Sequence, residues 1–280
     1  MALVSSSSQA SSERLPDFAS PPVVEVAVAV AFQPLAKLRI VDLGGLWARF
    51  QPDFPNVQEQ PPLESAPERF DGLPVPPTLS FALMAAPPIP RLWFLDGAES
   101  QLIQVQNNWF ARNWRKMPTG GDYPRYPAIR QCFERDLGTF LDYVQSGDFG
   151  DFKPTQCEIT FINHIVDQTD QRLQISQVLS LVAQPDPDGF LPTPENVGLN
   201  VQYVIAAEGT PLGRLHVRAE PAVRRTDGRP ITLLTLTARG APLGEGVKGV
   251  LDFLDLGHTW VVRGFDSITT DQMHRLWGKQ

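Results

Sequence analysis

The stretch Val23–Phe32, VVEVAVAVAF, alternates side chains with a period of two. Val24, Val26, Val28, Val30 and Phe32 form one large apolar face, and Glu25, Ala27, Ala29 and Ala31 form the other. That pattern predicts a β-strand with a broad buried face and a small-residue face able to lie under a helix or a partner. Pro154–Ile165, PTQCEITFINHI, repeats the design: Glu158, Thr160, Ile162 and His164 point one way, Cys157, Ile159, Phe161 and Asn163 the other. Pro21 and Pro154 are each followed by three residues, a glutamate and an aliphatic residue. Each stretch begins a run of further strands that closes on an amphipathic helix. The chain therefore reads as a duplicated unit, 21–146 and 154–265. The expected fold class is α+β, with antiparallel sheets each covered on one face by a long amphipathic helix, arising from internal duplication; two such halves could share a continuous sheet with a groove between or beneath their helices.

The other elements follow from local pattern. Leu35–Gln51 carries an imperfect helical stripe interrupted by Gly44 and Gly45, which weaken a helix. Prolines crowd residues 52–90 and forbid a long helix or central strand there. An extended arm over the surface is expected, with one short strand near Leu79–Met84. Arg91–Leu95 and Leu102–Trp109 read as a hairpin. The Gln104, Gln106, Asn108 row on its second strand is polar enough to face water or hydrogen-bond a ligand. Pro127–Gln145 is a helix with apolar residues at spacings of three and four. Strands are expected near Val178–Val182, Leu199–Ala206, Gly213–Ala222 and Ile231–Ala238. A helix should span Val247–Phe265, and Thr269 and Gln272 have capping-box spacing before a short last helix. In domain terms, residues 1–20 read as a Ser-rich disordered tail. Residues 21–150 form an N-terminal α+β half that carries the arm 52–90, and 151–280 form a C-terminal α+β half.

The chain has 280 residues and a formal net charge of −7. Acid in excess argues against broad duplex DNA binding, which needs many phosphate contacts. Two cysteines, Cys132 and Cys157, exclude a disulfide framework and a cysteine-built zinc site, and fit a reducing cytoplasm. No apolar run reaches the ~20 residues of a membrane helix. No HExxH, phosphate-loop or GxGxxG motif occurs, so neither a cofactor nor a metal is expected. Against the acidic background, residues 107–131 hold Arg112, Arg115, Lys116, Arg125 and Arg130 against Asp122 alone. Five cations less one anion give +4, leaving −11 elsewhere. Trp109, Phe110, Trp114, Tyr123 and Tyr126 are interleaved with them. Flat rings beside guanidinium groups suit a planar anionic ligand. The candidate ligand-binding residues are therefore Trp109, Arg112, Trp114, Arg115, Lys116, Tyr123, Arg125 and Tyr126, joined by Asn163 and His164 at a strand end. Aromatic residues near a strand end also serve simply as core, with Arg and Lys stems covering them. His258 lies on the apolar stripe of its helix three residues after Asp255, but no nucleophile motif accompanies the pair.

Several motifs resemble a sporadically distributed bacterial family of conserved hypothetical proteins. They are EQPPL (59–63), RLWFLD (91–96), LIQVQNNWFARNWRK (102–116), YPRYP (123–127), QCEITFINHI (156–165) and GHTWVVRGFDSITTDQMHRLWG (257–278). The resemblance covers nearly all of the chain after Pro21, in the same order. It implies a bacterial cytoplasmic protein, with no activity and no catalytic residues to carry over. Its patchy distribution is of the kind seen for mobile or defence-linked genes.

The leading functional expectation is a non-enzymatic binding or accessory protein. It would hold another protein or a small anionic ligand, as an antitoxin, immunity protein or chaperone-like subunit would, and could form a homo-oligomer. The alternatives are a nucleotide or RNA binder acting through the basic-aromatic segment 109–126, and a hydrolase using His164 or His258.

Overall fold

A computed structural model describes residues 14–63, 67–70, 89–183, 190–192 and 194–280. In chain order the elements are β1 (Val23–Phe32), α1 (Ile40–Phe50), β2 (Asn56–Gln60), β3 (Arg91–Leu95), β4 (Gln101–Gln106), β5 (Trp109–Arg115) and α2 (Arg125–Ser146). They continue with β6 (Pro154–Ile165), α3 (Ile175–Val178), β7 (Leu199–Ala207), β8 (Thr210–Val223), β9 (Pro230–Gly240), α4 (Gly246–Ile268) and α5 (Asp271–Trp277).

All nine strands join one antiparallel sheet in the order β2-β3-β4-β5-β1-β6-β9-β8-β7. This corrects the expectation of antiparallel sheets each covered by its own long helix. β1 and β6 pair from Val23 against Asn163 to Phe32 against Pro154, so the strand groups on either side are continuous. The sheet dominates the molecule, and its helices contact only part of one face. The physical cause is that β1 and β6 each have apolar side chains on one matching face. Pairing them buries both backbones and leaves no unpaired central edge.

One row of paired positions crosses eight strands: Phe94, Ile103, Arg112, Val28, Ile159, Ala238, Leu215 and Tyr203. This is the face on which the helices lie. α1 contributes Phe50 against Phe94, and α2 contributes Phe133 and Phe140 against Phe110 of β5. α4 packs on β6, β9 and β8. Glycines permit the closest approaches. A Cβ on Gly240 would stand 2.4 Å from the Phe253 ring, and one on Gly257 2.8 Å from Ile159. Gly45, which weakens α1 as an isolated helix, is likewise needed for fit: a Cβ there would lie 2.7 Å from the Tyr143 hydroxyl.

The opposite face carries no helix-packing row and is largely polar. Arg91 and the Trp93 indole donate to Gln104 Oε1 at 2.9 and 3.1 Å. The Gln104 amide donates to Asn113 at 2.8 Å, and Asn113 donates to Glu25 at 2.6 Å. Gln104 and Gln106 are buried, so that row does not face water as its composition suggested. Burial pushes the Glu25 carboxyl above its ordinary range, against the Asn113 hydrogen bond and the charge of Arg115.

Part of the Pro-rich arm crosses this face. Leu63 packs against Ala29, Ala31, Trp109 and Ala111, and its N–H donates to Gln106 at 2.8 Å. Glu68 places its carboxylate between Arg214 (2.5 Å) and His216 (2.7 Å), and its N–H donates to Gln156 at 2.9 Å. Burial raises the Glu68 pKa, but the bonds from His216 and Arg214 outweigh it and hold the group below the usual range. The small-residue face of β1 thus receives the arm. The strand expected at 79–84 lies outside the described residues, and β2 within the arm was not expected.

Three further expectations are corrected. Leu102–Trp109 is not one strand, because Asn107-Asn108 turns the chain between β4 and β5. The strand expected at 178–182 is replaced by the short helix α3 and a single bridge from Leu179 to Thr269. The N-cap of α5 is Thr270 rather than Thr269, whose hydroxyl instead donates to the Phe265 carbonyl at 2.7 Å. Of the stretch read as a tail, residues 14–20 are ordered. Phe18 sits among Phe265, His274 and Trp277, and Ala19 N–H donates to the Gly278 carbonyl at 3.0 Å. Among the described residues no helix is long and apolar enough to cross a membrane.

Candidate functional site

β5 decides the fate of the basic-aromatic segment. Successive residues of a strand point to opposite faces. Phe110, Arg112 and Trp114 therefore turn toward the helices, while Trp109, Asn113 and Arg115 turn toward the polar face. Trp114 is 2% exposed and Trp109 6% exposed, so both are core rings rather than docking surfaces. Arg112 is buried and ion-paired with Asp136 of α2, and it also donates to Gln101 at 3.1 Å. Arg115 donates to the Glu99 carbonyl at 2.8 Å and lies over the Trp93 ring. The structure does not bring Trp109, Arg112 and Arg115 to a common site.

The loop after β5 behaves differently. At this end of the central strands two cavities flank Tyr123, Arg125, Pro21 and Val23. The first, about 440 Å³, lies between β6, the start of α2, the middle of α4 and the segment 14–18. Its walls include Tyr123, Tyr126, Phe161, Asn163, His258, Val261 and Phe265, with Arg14 and Arg125 among its polar residues. The second, about 860 Å³, is more polar. It is lined by Trp114, Lys116, Gly120, Gly121, Tyr123, Arg125 and His164, closed on one side by Leu276 and Trp277.

Within the first cavity the wall is built by a stacked pair. Tyr126 and His258 have ring centroids 3.9 Å apart and planes inclined by 7°. The Tyr126 hydroxyl donates to Asp255 at 2.7 Å, and Arg130 donates to the same carboxylate at 2.8 Å. Asp255 is therefore committed to α2 and does not orient His258 as a general base. Burial drives the His258 pKa down to about 4, against the charge of Asp255. The imidazole is neutral at neutral pH and offers one donor and one acceptor. Burial and the bond to Asp255 raise the Tyr126 phenol well above its ordinary pKa. Asn163 is buried and fixed by its amide donating to the Leu234 carbonyl at 3.1 Å. Arg125 stands at φ 67°, a left-handed conformation that is uncommon for a non-glycine residue. It is held there by Asp17 at 2.7 Å and the Phe18 carbonyl at 3.1 Å.

In the second cavity Lys116 is exposed and, among the described residues, takes part in no ion pair. His164 is half-buried, and burial together with Arg224 lowers its pKa. Among the described residues no cluster of His, Cys, Asp or Glu could hold a metal ion.

Of the ten residues singled out by sequence, the structure gathers Tyr123, Arg125, Tyr126 and Asn163 around the first cavity. Trp114, Lys116 and His164 join Tyr123 and Arg125 at the second. Sequence reasoning missed Arg14, which lay in the presumed tail, and Phe265, which is indistinguishable from core on a helical stripe. The geometry offers an apolar, aromatic chamber with a few fixed polar groups, the usual character of a small-molecule site. No family model matches the chain, and neither a curated protein nor a solved structure matches it.

Proposed function

We propose that the protein is a non-enzymatic binding protein that holds a small anionic ligand with a flat apolar body in the chamber beside Tyr126 and His258. The observation that carries this reading is the stacked Tyr126–His258 wall of a roughly 440 Å³ cavity that also includes Arg14 and Arg125. A flat ligand continues the stack, while the Arg14 guanidinium meets its charge, Arg125 being already paired with Asp17. Among the described residues the lining contains no serine, threonine, cysteine or lysine, and Asp255 is engaged by Tyr126 and Arg130. This weighs against a hydrolase built on His258. The patchy bacterial family that the motifs resemble fits an accessory role of this kind, such as an antitoxin or immunity protein in a defence locus.

The test is a thermal-shift and calorimetric screen with aromatic carboxylates and mononucleotides, followed by Arg14→Ala and His258→Leu. A ligand that raises Tm in the wild type and loses at least about tenfold in affinity in either variant, about 1.4 kcal/mol, supports the reading. A screen in which no anionic ring compound shifts Tm rejects it.

A second reading, nucleotide or RNA binding through the larger cavity, is favoured by Lys116, which among the described residues forms no ion pair and lies beside Gly120-Gly121 and Tyr123. Lys116→Ala should then weaken binding of a short RNA and reduce its salt dependence by about one counterion. An unchanged salt slope removes it.

A further inference from the structure

We propose that the protein pairs with a second copy of itself along β7, joining two nine-stranded sheets edge to edge. The two margins of the sheet are built differently. β2 spans five residues, carries Glu59, follows Pro55 and runs into Pro61-Pro62. Short length, charge and proline are the features that keep a sheet edge from recruiting another strand. β7 has none of them. Its nine residues, LNVQYVIAA, contain no charge and no proline, and among the described residues no strand lies beyond it. A bulge in its pairing with β8 falls between Ile205 and Ala206, leaving Leu199–Ile205 as the regular edge.

That edge is self-complementary. Antiparallel pairing about a two-fold axis at Gln202 sets Leu199 opposite Ile205 and Val201 opposite Tyr203 on the helix side. It sets Asn200 opposite Val204 and Gln202 opposite its own copy on the polar side. Residues directly opposite in an antiparallel pair share a face and interact. On the helix side apolar thus meets apolar, on the polar side Gln202 meets its own amide with Asn200 against Val204, and no like charges are opposed. The helix side also leaves surface to cover. α4 packs on β6, β9 and β8, while Leu199, Val201 and Tyr203 remain partly exposed at the margin and Val204 is 50% exposed on the other side. A two-fold contact of this kind is isologous and closed, so it yields a dimer rather than a fibre.

Light scattering coupled to size exclusion on the full chain tests this. At about 50 µM, well above a micromolar Kd, the wild type should run at twice its 31.0 kDa chain mass. Gln202→Lys and Gln202→Glu each set like charges face to face across the axis and should weaken dimerisation by about tenfold or more. Mixing the two variants should restore a dimer. Glu59→Lys at the opposite edge should leave the mass unchanged. Circular dichroism checks that each variant is folded, and Gln202→Glu alters only one side-chain group. A monomeric wild type overturns the proposal, including one whose β7 edge takes up a peptide of another protein. A folded Gln202→Glu protein that dimerises as tightly as the wild type also overturns it.

Discussion

Replacing His258 by phenylalanine isolates the effect of one buried imidazole on stability. His258 stacks on Tyr126 and has Asp255 one turn before it on α4, with Phe161 of β6 also nearby. Its pKa falls from an ordinary 6.5 to about 4 in the folded chain, a shift of 2.5 by subtraction. The folded state therefore resists protonation that the unfolded chain accepts. Between pH 6.5 and 4 the unfolded state binds more protons, so stability is full above pH 6.5 and declines as pH falls. At about 1.36 kcal/mol per pH unit, the full loss approaches about 3 kcal/mol, of which about 2 kcal/mol is lost by pH 5. His258→Phe keeps a flat ring against Tyr126 and removes the titration. Urea unfolding of both proteins at pH 8 and pH 5 is the assay. The wild type should lose about 2 kcal/mol more than the variant over that interval. Taking the difference cancels other carboxyl groups, including Glu25, whose raised pKa acts in the opposite sense. Equal losses in the two proteins would refute the placement of a neutral, buried imidazole in that wall.

Asp136→Ala leaves the Arg112 guanidinium buried without its counter-charge and should cost about 3–5 kcal/mol in urea unfolding. Gly240→Ala sets a methyl 2.3 Å from the Leu212 carbonyl oxygen and 2.4 Å from the Phe253 ring. The resulting overpacking should cost about 1–3 kcal/mol, read as a lowered Tm. Glu68→Ala frees Arg214 and His216 of their shared carboxylate. Hydrogen exchange at the backbone amides of positions 63 and 68 should then speed up while exchange in β1 is unchanged, because the arm is held to the polar face by this contact.

The basic-aromatic segment shows how far the sequence could be read. Its charge and ring content were legible, but the strand was ended at Trp109. With Asn107-Asn108 taken as the turn, residues 109–115 become a strand. Trp109 and Trp114, five apart, must then face opposite sides of the sheet, and Arg112 must face the helices with Phe110. Composition counts cations without regard to direction, whereas a strand divides them between two faces. Tyr123, Arg125 and Tyr126 kept their place at a cavity because the chain there leaves the sheet and turns into α2.

The amino-acid sequence alone determined the elements whose apolar period is long and regular: β1, β6, α2 and α4. In those segments the pattern of burial is written in adjacent residues, and a single face must be covered. Tertiary structure decided that β1 pairs with β6 and joins both strand groups in one sheet, that the polar face receives Leu63 and Glu68 of the arm, and that Arg112 is neutralised by Asp136. Each of these depends on which distant segment supplies the matching surface, and strand pairing and buried charge are satisfied only by partners far away along the chain.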